Sequence, residues 1–323
     1  MKRLIALLVL PSLLIWFGCG DDDDPPNGPT DTTPTITVTA AATGPDFSSV
    51  DESVWSGVPA TALEVSTANS PKIGTPKTAI VANSIIIQAI KTADSLFFRF
   101  RWDDATFSVW KDHWATISVT PPINFVHNEI GFDEDHLYLM FDDGSEGWDV
   151  WHWAVLSTGA GSLAEGMTYV GGQLASDNGD LNLAFSNIIS GFTVPAYVHA
   201  DGAAFTGWYL VQDLDSLTEY YTNTTGWTMG QKVPGYIIDI SMKDDTNQDA
   251  RRKSRYDIRS VSEWDESGEE YTLVLGRALN TGYTEDIDLT DVTTIKAKVG
   301  LFDDQDIFST GGTGRGFTVE FNL

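Results

Sequence analysis

The chain has 323 residues, 42% of them hydrophobic, which is enough for a sizeable core in one large domain or two smaller ones. Its 46 acidic and 19 basic residues give a formal net charge of -27, which excludes nucleic acid and an anionic membrane surface as partners. The single cysteine, Cys19, lies near the N-terminus, so the remaining sequence can form neither a disulfide nor a thiolate metal site, and covalent c-type haem attachment is excluded.

The N-terminal segment has the features of an export signal. Lys2 and Arg3 precede an apolar run from Leu4 to Phe17, and Gly18-Cys19 follows. A small residue before cysteine resembles the bacterial lipoprotein cleavage site, which implies that Cys19 becomes a lipidated N-terminus. We therefore expect a signal peptide over residues 1–19 and an extracytoplasmic protein that contacts a bacterial membrane only through its lipid anchor. An ordinary signal peptide or an uncleaved anchor is the alternative.

An acidic, Pro/Thr-rich stretch follows the signal. Asp21 to Asp24 and then Pro25 to Pro34 cannot bury enough apolar surface to fold. We predict a disordered tether over residues 20–44 and a single domain over residues 45–323.

Short strand patterns recur through the predicted domain. The 11 Trp, 10 Tyr, 16 Phe and 29 Gly are typical of an all-β protein with many turns. Between about residues 159 and 234 the pattern loosens, and there we expect long elaborated loops around one strand, Phe205–Val211. The succession predicts an antiparallel β-sandwich. The predicted strands are Ser84–Lys91, Leu96–Trp102, Trp114–Val119, His136–Phe141, Asp149–Trp153, Tyr236–Met242, Tyr271–Leu279, Thr293–Phe302 and Phe317–Phe321.

The strand Asp149-Val150-Trp151-His152-Trp153 contains the most unusual combination of side chains in the chain. Side chains alternate faces along a strand, so Trp151 and Trp153 share one face and His152 lies on the other between small neighbours. Two adjacent indoles form either a packing wall or a platform for a flat ligand.

This pentapeptide resembles the signature of the haem-binding domain related to the ethylbenzene dehydrogenase gamma subunit, a family grouped with DMSO-reductase-like cytochrome c-552 domains. Further matches in the same order extend the resemblance over roughly residues 50–304. They are Val50–Trp55, Leu96–Asp104, Trp264–Gly282 and Val299–Asp304. The resemblance implies a β-sandwich related to carbohydrate-binding module family 9, which holds a non-covalent b-type haem and exchanges electrons with a partner redox protein.

Under this hypothesis, Trp151 and Trp153 line the haem pocket. Iron accepts imidazole, thioether or amine ligands. The candidate ligands are His152, Met140, Met167, Met229, Lys296 and Lys298. The structural alternatives stay open: His152 can hold a buried carbonyl or carboxylate, Met140 can be core, and the two lysines can be solvated.

Carbohydrate binding by a haem-free lipoprotein is the main rival function. Exposed aromatic rings stack on sugars while neighbouring polar groups bond the hydroxyls. The candidate platform residues are Trp148, Trp151, Trp208, Tyr209 and Trp227. An accessory lipoprotein with no small ligand is a third possibility.

The sequence also bears on metal binding and on catalysis. Acidic turns can supply oxygen ligands to a structural Ca²⁺. These turns are Asp133/Asp135, Asp142/Asp143, Asp177/Asp180 and Asp303/Asp304/Asp306. The sequence contains neither G-x-S-x-G nor H-E-x-x-H, and its five histidines lack metal-type spacing, so we do not expect an enzyme.

Overall fold

The structure is a computed structural model. It describes residues 33–64, 84–108, 114–118, 124–127, 134–142, 147–155, 158–159, 162–170, 173–178, 183–184, 187–189, 192–194, 208–213, 218–223, 232–233, 237–238, 253–302 and 315–323. These residues form strands and two 3₁₀ turns, Ser53–Trp55 and Lys253–Tyr256. The predicted all-β class is therefore confirmed. Within this part of the chain, no helix has the length and apolar character needed to cross a membrane.

The strands are numbered in chain order. They are β1 (Thr35–Thr37), β2 (Thr39–Ala40), β3 (Thr61–Glu64), β4 (Ser84–Lys91), β5 (Ser95–Asp103), β6 (Trp114–Ser118), β7 (Asn124–His127), β8 (His136–Asp142), β9 (Gly147–Ala154), β10 (Leu163–Val170), β11 (Gln173–Ser176), β12 (Leu183–Ala184), β13 (Asn187–Ile189), β14 (Phe192–Val194), β15 (Trp208–Asp213), β16 (Thr218–Asn223), β17 (Lys232–Val233), β18 (Ile237–Ile238), β19 (Ile258–Asp265), β20 (Glu270–Ala278), β21 (Thr294–Phe302) and β22 (Arg315–Asn322).

Two sheets form the sandwich. The first has the order β1-β22-β21-β8-β9-β10-β11, and the second has the order β10-β19-β20-β5-β4, with β2 and β3 both pairing with β4. Strand β10 belongs to both sheets, because Leu163 and Ala164 pair with β19 whereas residues 165–170 pair with β9. The remaining described strands form four small ribbons: β12-β18, β13-β14, β15-β16 and β17-β6-β7.

The core lies between the inner faces of the two sheets. The alternation in the sequence determines which side chains enter it. Leu137, Leu139 and Phe141 of β8 face inward and belong to the same core cluster as Phe98 and Phe100 of β5. Burying one such side chain contributes about 1.5–3 kcal/mol before the entropy cost of ordering it. Alternating apolar residues are therefore sufficient to specify the inner faces.

A segment before β3 covers the outer face of the second sheet. Phe47 and Trp55 pack against Phe97 and other apolar residues of that face. The buried Gln88 amide donates to the carbonyl oxygens of Trp55 and Val58, so this cover is held by polar as well as apolar contacts.

The folded part begins before the predicted boundary at residue 45. Ile36 of β1 is buried and β1 pairs in parallel with β22, while β2 pairs in parallel with β4. The compact unit extends from Thr33 to Leu323. The last part of the expected tether is therefore folded. Residues 1–32, including Cys19, lie outside the described residues, so the signal peptide and the lipid anchor stay predictions.

The expected loop region over residues 159–234 is also more regular than predicted. Its first part is β10, which joins the two sheets. The sequence LAEGMTYV shows weak alternation because a buried glycine and a half-buried Glu165 occupy positions set by neighbours rather than by hydrophobicity.

Candidate functional site

The outer face of the first sheet contains those of the predicted haem ligands that the structure describes. His152 is 4% exposed and lies between cross-strand neighbours Tyr138 and Glu165. Its imidazole lies flat on the Tyr138 ring, with centroids 4.3 Å apart and planes 8° apart. Its Nε2 is 2.9 Å from Nδ1 of His136, and its Nδ1 is 3.4 Å from a carboxylate oxygen of Glu165.

These contacts occupy both nitrogens of the ring. An ionised carboxylate only accepts hydrogen bonds, so Nδ1–H of His152 donates to Glu165. In the neutral ring, Nε2 then accepts from Nδ1–H of His136. Tyr138, His136 and Glu165 surround the imidazole. His152 therefore has the structural role that the sequence left open, a bond to a buried carboxylate.

Glu165 is the charged centre of this cluster. Its other oxygen accepts from Ser176 at 2.7 Å and lies 2.6 Å from the Arg255 guanidinium. Burial alone would raise the pKa of Glu165, but His152, Arg255 and Ser176 together hold it at about 2. Glu165 therefore stays ionised, and its charge is balanced within the protein.

The two tryptophans of the signature strand are core residues. Trp151 and Trp153 are both 0% exposed. Trp151 packs edge-on against Phe98 and Phe141, and the guanidinium of Arg277 lies 5.0 Å from its ring centroid. Neither indole can form a platform for a ligand.

The candidate thioether and amine ligands have other partners. Met140 and Met167 are 2% and 1% exposed and pack with Val150 in an apolar cluster. The Lys298 ammonium lies 4.5 Å from the ring centroid of Trp148, a cation–π contact, and Lys296 is exposed. Met229 lies outside the described residues.

The haem hypothesis is therefore wrong for these residues. Iron needs an unoccupied nitrogen or sulfur lone pair facing a cavity large enough for the macrocycle. Here the imidazole nitrogens are hydrogen-bonded, and the Met140 and Met167 side chains are enclosed by apolar neighbours. No family model matches the sequence, and the predicted membership of the ethylbenzene-dehydrogenase-related family is also wrong. The predictions of a bound haem b and of electron transfer through it are wrong for the same reason.

A second buried charge cluster lies next to Trp151. The Arg277 guanidinium forms a bidentate pair with Asp149, at 3.2 and 2.7 Å, and lies 3.1 Å from Asp286. Burial alone would lower the pKa of Arg277, but Asp149, Asp286 and Asp257 raise it, so the guanidinium stays charged. The pair holds the loop after β20 against β9, because Asp149 also accepts from the backbone N–H of Ile287.

The described part of the chain contradicts the calcium hypothesis. Across the described residues, no group of three or more His, Cys, Asp or Glu side chains is arranged to hold a metal ion. One oxygen of Asp135 instead accepts from the Ser108 N–H and the Tyr271 hydroxyl, both at 2.9 Å. Asp177 accepts from Thr168 at 2.7 Å. Asp133, Asp143, Asp180, Asp303, Asp304 and Asp306 lie outside the described residues.

An exposed aromatic pair lies at one end of the sandwich. The ring of Phe107 is stacked on Trp264, with centroids 5.6 Å apart and planes 20° apart, and Phe107 is 48% exposed. Trp264 of β19 is the cross-strand neighbour of Tyr271, which is the neighbour of Trp102. The pair is therefore the exposed end of an aromatic row that begins in the core.

Hydrogen bonds fix the loop that carries Phe107. The Trp264 indole N–H donates to the Asp104 carbonyl oxygen at 3.1 Å, and the Asp104 carboxylate accepts from the N–H of Thr106 at 3.0 Å. Ser108 bonds to Asp135 through its N–H and its carbonyl oxygen. The exposed ring is thus held in place on both sides of the loop.

The platform residues named from the sequence have varied placements. Trp148 is half-buried beneath Lys298, and Trp151 is buried. Trp208 and Tyr209 begin strand β15, and Trp227 lies outside the described residues. Phe107 was missed. The signal that could have found it is its place three residues after the Asp103-Asp104 turn, at the exit of an amphipathic strand.

Distant likenesses to solved structures exist. One is a candidate carbohydrate-binding protein from Bacteroides uniformis, with 8% identity, 89% of this chain and 91% of that chain covered, and a TM-score of 0.36. Another is a family 9 carbohydrate-binding module from Caldicellulosiruptor kristjanssonii in complex with glucose, with 8% identity, coverage of 90% and 95%, and a TM-score of 0.34. The cellotriose complex of a family 9 module from that organism gives 8%, 90%, 93% and 0.33. No curated protein matches the sequence. At these values the likenesses assign neither a family nor a ligand to this chain.

Proposed function

We propose that the protein binds carbohydrate by stacking a sugar ring on the exposed face of Phe107. The observation that carries this proposal is the Phe107–Trp264 pair, in which a half-exposed phenyl ring is stacked on an indole at the end of the sandwich. A single exposed aromatic residue is common on protein surfaces. A preorganised ring, continuous with a buried aromatic row, is less common and resembles a binding surface.

Rigidity supports a binding role. Ordering a flexible side chain at a binding surface costs about 0.5–1.5 kcal/mol. The bonds of Asp104 and Ser108 fix the Phe107 loop before any ligand arrives, so most of that cost is avoided. The apolar C–H face of a pyranose ring fits such a flat surface, because the ring loses unfavourable contact with water on stacking.

Polar groups lie beside the ring. Thr106, one residue away, is exposed, and its hydroxyl is 3.2 Å from the Asp104 carboxylate. Hydroxyl and carboxylate groups accept hydrogen bonds from sugar hydroxyls, which supports a shallow, polar sugar site instead of a deep apolar pocket.

We place this binding role outside the cytoplasm. The N-terminal sequence supports export, with lipid attached at Cys19 and the domain displayed to glycans outside the cytoplasm. We place the protein among binding proteins, without a catalytic step of its own.

The test is glycan binding by the protein and by Phe107→Ala. A panel of soluble oligosaccharides and polysaccharides is titrated by calorimetry. We expect at least one glycan to bind and Phe107→Ala to weaken its binding about two- to tenfold, since loss of stacking costs about 0.5–1.5 kcal/mol. The matched control is Tyr283→Ala, which removes an aromatic side chain that is 37% exposed elsewhere on the surface. Equal binding by Phe107→Ala and the unchanged protein, or no binding to any glycan, contradicts the proposal.

A further inference from the structure

A buried group of carboxyl side chains lies at the end of the sandwich away from Phe107. Arg277 is paired with Leu96 at the start of β5, whereas Tyr271, in the aromatic row, is paired with Trp102 near the end of β5. Four aspartates from separate parts of the chain act on one another or on Arg277 at this end, and they are Asp149, Asp177, Asp257 and Asp286.

Arg277 balances only part of this negative charge. Its guanidinium pairs with Asp149 and Asp286, whose side chains are 2% and 1% exposed. A single guanidinium compensates one carboxylate in full. A buried carboxyl group without a counter-charge takes up a proton, because the neutral form is far cheaper to bury than the ionised one. The arrangement therefore favours bound protons within the group.

Asp257 is placed to hold such a proton. Both of its carboxyl oxygens are buried, and neither has a hydrogen-bond partner among the described residues. Its side chain is within hydrogen-bonding reach of the Asp286 carboxyl group, and two carboxyl groups form a hydrogen bond only when one of them is protonated. Burial raises the pKa of Asp257 to about 9, with the charges of Asp286 and Asp149 acting in the same direction and Arg277 opposing them.

Asp177 is a separate titrating group beside this pair. It is 7% exposed, and its Oδ1 accepts from the hydroxyl of Thr168, the cross-strand neighbour of Asp149. The carboxylates of Asp149, Asp286 and Glu285 act on it. Because its pKa is about 7, Asp177 is mostly ionised at pH 8, at which Asp257 still holds its proton.

The connection between β20 and β21, residues 279–293, contributes Asp286 to this group. Asp286 accepts from the Thr281 hydroxyl, and the Ile287 N–H donates to Asp149 at 3.0 Å. Leu289 is buried, and its N–H donates to the Leu279 carbonyl oxygen at 2.8 Å. Opening this connection would separate Asp286 from its buried partners and bring it into water.

We propose that a proton shared by Asp257 and Asp286 fastens the β20–β21 connection to the end of the sandwich, and that loss of this proton at alkaline pH lets the connection open. The arrangement is a pH-sensitive latch in which the proton belongs to the pair of carboxyl groups. It lies at the other end of β5 from Phe107, so it does not depend on the proposed sugar binding.

The closed and open connections should bind this proton differently. An aspartate in water has a pKa of about 3.9, whereas the pKa of Asp257 in the closed form is about 9. Because the closed-state pKa is the higher one, the stability that the proton gives the closed form is fully present below about pH 4 and is lost as pH rises towards 9. Between about pH 5 and pH 8, each pH unit should raise the ratio of open to closed connection about tenfold.

Two measurements on the unchanged protein test the latch. Backbone hydrogen exchange at Ile287 and Leu289 is followed at about pH 6, 7 and 8 and corrected for the intrinsic base-catalysed rate. We expect the protection of both amides to fall about tenfold per pH unit. Infrared spectroscopy at about pH 8 should show the carbonyl band of a protonated carboxyl group. Absence of that band, or protection that does not vary with pH, overturns the proposal.

Three variants assign the proton. Asp257→Asn keeps a hydrogen-bond donor for Asp286 and removes the proton, so the infrared band should disappear and protection should vary by no more than about threefold per pH unit. Asp177→Asn should retain the band and the tenfold dependence, and so should Asp291→Asn, the matched control on an exposed aspartate of the same connection. An Asp257→Asn protein that keeps both signals overturns the proposal. If that variant does not fold, the two measurements on the unchanged protein decide.

Discussion

The imidazole of His152 lies parallel to the phenol ring of Tyr138, with 4.3 Å between the ring centroids. Both residues are buried, and His152 also connects His136 to Glu165 through its two nitrogens. His152, which the sequence predicted to be a haem ligand, is thus part of a polar cross-link between neighbouring strands of the first sheet.

Removing this cross-link should destabilise the domain. His152→Leu removes two buried hydrogen bonds, one to an oxygen of Glu165 and one to Nδ1 of His136, and we expect a loss of about 2–4 kcal/mol. Urea unfolding followed by tryptophan fluorescence measures it. Lys296→Ala, on an exposed lysine of the same sheet face, should change stability by less than about 0.5 kcal/mol. A His152→Leu protein as stable as this control would show that the network contributes nothing.

Arg277 should be even less replaceable. In Arg277→Met the side-chain volume is nearly retained, but Asp149 and Asp286 remain buried without a counter-charge, and we expect a loss of about 3–5 kcal/mol. Arg277→Lys keeps the charge and loses the bidentate geometry, so its loss should be smaller. The comparison is made by chemical unfolding near neutral pH. Equal stability of the Met and Lys variants would contradict the importance of the charge.

Asp177 provides a pH test. Burial, with the nearby carboxylates of Asp149, Asp286 and Glu285 acting in the same direction, raises the pKa of Asp177 to about 7, despite the bond from Thr168. In the unfolded chain its pKa is about 3.9. Because the folded-state pKa is the higher one, the stability that Asp177 contributes is fully present below about pH 4 and is lost as pH rises towards 7.

Asp177→Asn keeps an acceptor for Thr168 and removes this titration. At pH 7 we expect the variant to be more stable than the unchanged protein by about 1–2 kcal/mol, and near pH 4 the two should be equally stable. Thr168→Val, which removes the hydroxyl donor alone, should not produce that gain. A stability difference that does not vary with pH would refute the assignment. Urea unfolding at several pH values measures it.

Gly166 tests the close approach of β10 to the 3₁₀ turn Lys253–Tyr256. A Cβ at this position would overlap the carbonyl oxygen of Ser254 and lie 2.8 Å from Oδ2 of Asp177. Gly166→Ala should therefore displace the turn and cost about 1–3 kcal/mol. At Gly282 a Cβ meets open space but the φ of +75° is strained for alanine, so Gly282→Ala should cost only about 1 kcal/mol. Both are measured by thermal unfolding, and a Gly166→Ala protein that melts with the unchanged one would contradict the packing.

Local patterns predicted much of the sandwich. Ser84–Lys91 is a strand with the predicted bounds, and in β8 and β9 the inward and outward sets are those given by alternation. Alternation is a property of the local sequence, so it can be recognised without knowledge of the fold. Strand β1 could not be recognised in this way, because its three residues lie in a Pro/Thr-rich stretch and gain their stability from β22, at the other end of the sequence.

The surroundings of His152 and Phe107 depend on contacts between distant parts of the chain, which alternation along one strand does not predict. The surroundings of His152 include Glu165 from β10, a strand with too weak a pattern to predict, and the register between β9 and β10 decides that the two meet. The loop that carries Phe107 is held by a bond from Ser108 to Asp135, 27 residues away in sequence. Such distant bonds determine whether an aromatic side chain is buried or presented.

Strands β1 and β2 have a practical consequence for expression. They occupy the free side of β22 and part of the free side of β4, so each of the two sheets has an edge closed by the first folded residues of the chain. A fragment started at residue 45 would expose unpaired backbone amides and carbonyls on both sheets, and such edges recruit strands from other molecules. Aggregation of that fragment, with solubility recovered by a start before Thr35, would therefore reflect open sheet edges and not a fault in the core.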